Sequence, residues 1–262
     1  MRIVTFASGS SGNCTLVSLG GTHFLIDAGI SWRRITEHLA LSGLAPADLS
    51  AVLITHEHSD HISGLATMVK RSTVPVCAPR TVAGALRRCV PGIESCLRVV
   101  PAGEEAEIGG VTVLPFRTPH DTEESVGWRL SCPEETFALA TDMGAVTEEI
   151  AAGLLGADAV LIEANHDVDM LRTGPYPFPL KRRILSDHGH LSNDGCAALA
   201  AMLADHGTKY VILGHLSREN NTPRRAFDTV RAALDGKNTQ LYVAPATERL
   251  TLEIKTDKIC LP

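Results

Sequence analysis

The apolar run Ala51-Val52-Leu53-Ile54-Thr55 stops on His56-Glu57-His58-Ser59-Asp60-His61. The run reads as a buried strand, so the six residues after it form a loop delivered by a rigid element. They carry three imidazoles and, at Asp60, a carboxylate, in the order H-x-H-x-D-H. Imidazole suits zinc, iron and nickel, and carboxylate suits harder ions such as manganese. Four such groups this close can serve two metals at once. A polar loop that merely happens to be His-rich would need no partners elsewhere. This one demands a sheet whose strand ends bring further ligands to the same place.

Other strand-like runs end on such groups. In open sheet proteins, sites gather beyond the carboxyl ends of strands. Gly110-Val111-Thr112-Val113-Leu114-Pro115-Phe116 leads through Thr118-Pro119 to His120. Thr136-Phe137-Ala138-Leu139-Ala140-Thr141 ends in Asp142, and Lys209-Tyr210-Val211-Ile212-Leu213-Gly214 ends in His215. One histidine at a strand end is usually a solvated group. Three metal-competent ends together with H-x-H-x-D-H form a constellation.

The rest of the chain reads as alternating strands and helices with short connections and no linker, so a single domain over 1–254 is expected, with a loose tail at 255–262. Gly20-Gly21 makes a two-residue hairpin turn, and helices are expected at about Trp32–Leu41, Leu65–Arg71, Val82–Cys89 and 147–155. Ser192 is positioned to cap a helix running to His206, and Thr222-Pro223 opens another to about Leu234. The gross βα order occurs roughly twice, as in a sandwich of two related halves. No apolar run approaches the roughly 18 residues of a membrane span, and no signal peptide is read at the N-terminus. Seven scattered cysteines without a C-x-x-C pattern are no disulfide framework and fit a reducing cytoplasm. A net charge of −6 is not the footprint of a general nucleic-acid binder. It leaves room for a local basic patch, for which Lys181-Arg182-Arg183 is the strongest candidate.

At these residues the chain resembles the metallo-β-lactamase-fold hydrolases, from Met1 to about Glu253. The resemblance implies an α/β fold, a four-layer αβ/βα sandwich with a two-metal cleft along the sheet edges. It implies His56, His58 and His120 as ligands of one divalent ion, and Asp60, His61 and His215 as ligands of the other. Asp142 is implied as the bridging carboxylate, and zinc or manganese as the metals. The lactamases themselves commonly have Cys where this chain has Asp142, and the di-iron flavoproteins have Glu in place of His58. Asp27, at a strand end in Asp27-Ala28-Gly29, is expected to hold a metal-bound histidine from its outer side.

Further segments narrow the resemblance. S-G-S-S-G-N from Ser8, E-A-N-H-D from Glu163, Y-P-x-x-L-K-x-R-I from Tyr176, G-H-L-S-N from Gly189 and H-L-S-R-E-N-N from His215 are similar to the WalJ/YycJ-type branch. The implied activity is metal-dependent phosphodiester hydrolysis, with 5′→3′ exonuclease action on DNA. Ser10, Asn13, Lys181, Arg183 and His188 are expected to contact the substrate. Asp60 is expected to serve the chemistry as well as the metal. His190 or His166 is expected to protonate the leaving oxygen, with His190 preferred beside the basic cluster. A thioester or lactone hydrolase of the glyoxalase-II type remains the rival reading, because those enzymes share T-H-x-H-x-D-H. RNA stands as an alternative to DNA, and a non-enzymatic module is disfavoured by the complete ligand set.

Overall fold

The computed structural model describes residues 1–254; the tail expected at 255–262 lies outside the described residues. Two seven-stranded sheets form the centre. The first contains β1 (Arg2–Ala7), β2 (Cys14–Leu19), β3 (Thr22–Ile26), β4 (Ala51–Leu53), β5 (Val76–Ala78) and β6 (Leu97–Val99). The second contains β7 (Ala106–Ile108), β8 (Val111–Arg117), β9 (Val126–Ser131), β10 (Thr136–Ala140), β11 (Ala159–Glu163), β12 (Tyr210–Gly214) and β13 (Gln240–Val243). The last strand, β14 (Leu250–Glu253), returns to the first sheet and pairs antiparallel with β1.

The two sheets repeat one plan. Along β14-β1-β2-β3-β4-β5-β6, three antiparallel pairings are followed by three parallel ones. Along β7-β8-β9-β10-β11-β12-β13 the same sequence of pairings recurs. β3 and β10 thus hold equivalent places, each where the antiparallel half gives way to the parallel half. Asp27 follows β3 closely and Asp142 follows β10 closely, so the repeated plan puts a carboxylate at both switch points.

Residue alternation explains the layers. Successive side chains of a strand point to opposite faces. In β3, Phe24 and Ile26 face the second sheet while Leu25 faces helices. In β10, Phe137 and Leu139 face the first sheet while Ala138 and Ala140 face helices. Strands buried on both faces read as unbroken apolar runs, which is why they were visible in the sequence. Helices α1 (Trp32–Leu41), α2 (Ser59–Ile62), α3 (Leu65–Arg71) and α4 (Arg80–Cys89) follow strands of the first sheet. Helices α5 (Glu148–Leu154), α6 (Val168–Thr173), α7 (Phe178–Ile184), α8 (Asn193–Asp205) and α9 (Pro223–Ala233) accompany the second. Three apolar cores result, one between the sheets and one under each helical layer, giving the single four-layer αβ/βα domain. Ser192 Oγ accepts from Gly195 N at 3.1 Å and Thr222 Oγ1 from Arg225 N at 3.1 Å, as their capping positions required. Among the described residues no helix is long and apolar enough to cross a membrane.

Candidate metal centre

The His56–His61 loop is pinned by backbone contacts on several sides. Asp60 O accepts from Asn13 N at 2.7 Å, and His61 O accepts from Ala28 N at 2.8 Å. Gly29 packs so closely against this loop that a Cβ would lie 1.6 Å from Asp60 O, so only glycine fits there. From the opposite sheet, Val126 N donates to Thr55 O at 3.1 Å and Trp128 Nε1 to Ile54 O at 3.2 Å. The loop therefore sits where the two sheets are tied together.

Among the described residues, three that are not glycine have left-handed backbones: Asp27 (φ 60°), Asp142 (φ 56°) and His215 (φ 56°). All three follow strand ends at this locus. Such conformations are uncommon for residues with a Cβ, and they cluster at functional sites, where surrounding structure holds them. Here they turn the side chains back across the sheet edges instead of along the chain.

The sequence-expected ligands converge. Ligand atoms of His56, His58 and His120 lie within 4.8 Å of one another, as do those of Asp60, His61 and His215. Asp142 joins His56 and His61 within the same limit, and also Glu163, His190 and His215. Its position lies between the two histidine sets.

The outer atoms of these groups are held, which leaves the inner atoms aimed at common space. His61 Nδ1 lies 2.8 Å from Asp27 Oδ2, in the outer-shell arrangement expected of Asp27. Buried Thr55 reinforces it, donating its N–H to Asp27 Oδ1 at 2.9 Å, with Oγ1 3.0 Å from His56 Nδ1. His120 Nδ1 faces Gly189 O at 3.3 Å. His215 Nδ1 lies 2.8 Å from Glu163 Oε1. Inside, His56 Nε2, His215 Nε2 and Asp142 Oδ2 are buried without a hydrogen-bond partner. Buried polar atoms rarely go unsatisfied, and inward lone pairs with anchored outer nitrogens are what metal-binding histidines present. The residues fit divalent cations.

Glu163 was not foreseen as a site residue. It ends β11, is fully buried, and accepts from both His190 Nδ1 and His215 Nδ1 through Oε1 at 2.8 Å. Its other oxygen accepts from Met143 N at 3.0 Å and Leu191 N at 3.1 Å. A carboxylate terminating the otherwise apolar run Ala159-Val160-Leu161-Ile162 was the available signal.

The expected substrate contacts are only partly brought to the cleft. Ser10 and Arg183 line a cavity of about 180 Å³ together with His190 and His215. His188 is exposed and lines a neighbouring groove beside His120. Asn13 is buried, with Oδ1 accepting from Gly9 N at 2.8 Å and Nδ2 3.0 Å from His61 Nε2 and 3.4 Å from Asp60 Oδ2. Its amide positions the loop, whereas Ser10 of the same segment lines the cavity. Lys181 lies away from the cavity that holds His190 and His215 and lines the separate space on the outer side of α7. Its ammonium donates to Arg172 O at 2.8 Å and Gly174 O at 2.7 Å, because the unsatisfied carbonyls at the end of α6 attract a cation. Arg183 is paired with Asp121, whose other oxygen lies 3.1 Å from His120 Nε2.

The two candidate proton donors separate clearly. His166 is buried, both ring nitrogens lack partners, and burial pushes its pKa down to about 4. Its ring is therefore neutral at neutral pH, which makes it a weaker acid than a protonated imidazole. His190 is partly exposed beside the cavity. Burial works against its charge, but the Glu163 carboxylate outweighs burial and raises the pKa above the ordinary imidazole value.

Protonation of the metal-free site makes metal uptake pH-dependent. Burial opposes charge on His61 and His215, but the carboxylates Asp27 and Asp142 raise the former well above its usual value, and Asp142, Asp60 and Glu163 push the latter up to about 10. Both are therefore protonated at neutral pH without metal. His56 and His120 are lowered chiefly by burial and are already neutral. A cation needs the free lone pair, so binding releases protons. Calorimetry in buffers of different ionisation enthalpy should show at least one proton released per chain near pH 7, and apparent affinity rising toward pH 10. The metal-free fold should respond oppositely. The raised pKa of His215 stabilises it fully below about 6.5, and that contribution is lost as pH rises through about 10. Uptake without proton release at pH 7 would contradict this electrostatic account.

A family model for the beta-lactamase superfamily domain matches residues 22–216. The fold agrees with that of the metallo-beta-lactamase fold protein YhfI from Bacillus subtilis, with a TM-score of 0.73 at 15% identity over 97% of this chain and 100% of the other. Sheets, core layers and histidine cluster thus define a metallo-β-lactamase-superfamily hydrolase. The exodeoxyribonuclease WalJ of Streptococcus pneumoniae serotype 2 (strain D39 / NCTC 7466) is 39% identical over 228 residues, 86% of this chain and 84% of its own length. The exodeoxyribonuclease YycJ of Bacillus anthracis is 35% identical over 238 residues, 90% of each chain. The chain belongs to the WalJ/YycJ family of that superfamily.

Proposed function

We propose that this chain is a 5′→3′ DNA exonuclease that hydrolyses phosphodiesters with two divalent ions, zinc or manganese. His56, His58 and His120 would hold one ion, Asp60, His61 and His215 the other, with Asp142 shared. The observation that carries this reading is the convergence of these ligand atoms around Asp142, with His56 Nε2, His215 Nε2 and Asp142 Oδ2 buried and without a hydrogen-bond partner. The exodeoxyribonuclease names of the relatives point to DNA. Bound there, two divalent ions would supply positive charge beside the phosphodiester and would lower the pKa of water.

The chain's own residues do the rest. Glu163 fixes the rings of His190 and His215 from one oxygen and favours the protonated form of His190. His190 holds its proton at the ring edge facing the cavity, where a leaving 3′-oxygen can take it. Ser10 lines the same cavity, and Arg183 stands at its wall opposite Asp121. Gly189 packs against the end of α7, where a Cβ would meet Ile184 O at 2.2 Å, and its carbonyl holds His120 Nδ1. The free thiols and the lack of a membrane-length helix among the described residues support a cytoplasmic location.

The test uses metal-reconstituted protein with end-labelled single- and double-stranded DNA, RNA and a small thioester. Stepwise shortening of DNA from the 5′ end is expected in zinc or manganese, and Asp60→Ala should lose it. Efficient thioester turnover without DNA cleavage in either metal would replace the nuclease reading by the glyoxalase-II-type one.

A further inference from the structure

Residues 170–186 contain Arg172, Lys181, Arg182 and Arg183 and no carboxylate, in a chain whose net charge is −6. This stretch folds as the end of α6, a proline-rich turn and α7. The two faces of α7 look onto different spaces. Leu180, Arg183 and Ile184 border the cavity that reaches His190 and His215. Phe178, Arg182 and Leu185 stand at i, i+4 and i+7, a spacing that shares one helix face. With Arg172 they line a separate cavity of about 430 Å³.

That outer face is apolar and cationic together. Phe178 is 74% exposed and Leu185 43% exposed. The guanidinium groups of Arg172 and Arg182 have no ion pair among the described residues. Lys181 Nζ, by donating to the carbonyls of Arg172 and Gly174, ties α7 to the end of α6 and fixes Arg172 relative to Phe178. An exposed apolar patch with a polar rim marks an interaction site.

We propose that this face of α7 is a platform for single-stranded DNA, on which an unpaired base stacks against Phe178 while Arg172 and Arg182 hold the flanking phosphates. The proposal rests on the nuclease reading and adds the path that the strand takes outside the metal centre. Three observations select this occupant. The cations match a polyanion, and planar guanidinium pairs with phosphate bidentately. The platform adjoins the catalytic cavity through the neighbouring Arg183, so one strand can touch both. A base in a duplex has its faces covered by its neighbours, whereas an unpaired base offers one to an aromatic ring whatever its identity. An exonuclease needs that tolerance, since it must advance through any sequence.

The experiment compares Phe178→Leu, Phe178→Trp and the double variant Arg172→Gln/Arg182→Gln in the full chain. The position is exposed, so none of these changes removes a core contact. Substrates are single-stranded DNA about twelve nucleotides long, within the site size of common single-strand binders, a dinucleotide, and RNA of the same length. For the wild type, KM should fall with strand length. Phe178→Leu keeps apolar area but loses the stack, and should raise KM for the long strand about tenfold with kcat little changed. Phe178→Trp should retain the low KM. The double variant should raise KM and flatten its salt dependence, because fewer counterions are released. Equal KM values for wild type, Phe178→Leu and Phe178→Trp on DNA that is cleaved would overturn the platform and leave the nuclease reading standing. A lower KM for RNA with the same Phe178 dependence would overturn the assignment to DNA. Absence of cleavage of any nucleic acid by the wild type, in zinc and in manganese, would overturn the nuclease reading and this proposal with it.

Discussion

Asp142→Asn is expected to reduce bound metal and to slow DNA cleavage by more than the ~10²–10³-fold that follows loss of a single electrostatic contact in other hydrolases. Asp142 is the residue whose carboxylate approaches both histidine sets. Asp142 Oδ2 is 3.3 Å from His61 Nε2, and Oδ1 is 3.5 Å from His215 Nε2 and 3.7 Å from His120 Nε2. The side chain is 2% exposed, so its charge acts with little solvent screening. Burial alone would raise its pKa, yet the surrounding imidazoles hold it well below the ordinary carboxylate range. It is therefore ionised at every working pH.

Asparagine is the informative replacement. Asn tolerates the left-handed backbone that Asp142 adopts at φ 56°, and its shape is nearly unchanged. Asp142→Ala would add backbone strain to loss of the ligand and confuse the two. Metal content after dialysis and single-turnover cleavage of labelled DNA read the two consequences separately. A variant that keeps full metal occupancy and cleaves at the wild-type rate would remove Asp142 from the centre of the site. Asp27→Asn provides a contrast, since Asp27 acts only through His61 and Thr55.

The convergence of the proposed ligands was legible because of a general property of doubly covered sheets. Strands buried on both faces appear as apolar runs, and each run that ends on His or Asp marks the sheet edge. Thr136–Ala140 before Asp142 and Tyr210–Gly214 before His215 are of this kind. β9 was less visible. Its Gly127 is required because a Cβ would meet Phe116 Cζ at 2.4 Å and Leu139 O at 2.5 Å. Its Arg129 reaches out to the carbonyls of Gly153 and Leu155 at the end of α5. Neither constraint leaves an apolar pattern. Nor does sequence order show that β14 returns to complete the first sheet.

Roles that depend on distant partners were hidden for the same reason. Glu163 meets His190 and His215, which lie 27 and 52 positions away in the chain. Lys181 reads as a free cation in sequence, but folding places the carbonyl ends of α6 within reach of its ammonium. α6 and α7 carried no readable helical period, since Pro175, Pro177 and Pro179 interrupt the segment. Pro179 nevertheless sits in the first turn of α7, where a missing N–H costs nothing. The proposed ligands were local signals at strand ends, while the contacts of Glu163 and Lys181 are products of tertiary structure.

The second large effect is expected at His190. His190→Ala should retain metal but slow cleavage of DNA by about two to four orders of magnitude, the usual range for general acid–base catalysis. His190 packs beside the other imidazoles but differs from them in being partly exposed. His190 ring centroids lie 5.2 Å from His120 and 5.3 Å from His215, so it stands over the cleft between the two sets. Its Nδ1 is committed to Glu163, which leaves Nε2 to donate. A leaving 3′-alkoxide needs a proton, whereas a nitrophenolate leaves readily without one. The defect should therefore shrink sharply on a nitrophenyl phosphodiester. The pH profile should carry the same information. A donor must be protonated, so activity should fall on the alkaline side of a pKa raised by Glu163. Glu163→Gln removes the charge that raises it, and the alkaline fall should then begin at lower pH. An equal loss on both substrates, with metal content reduced in parallel, would make His190 a ligand and leave the leaving-group proton to solvent.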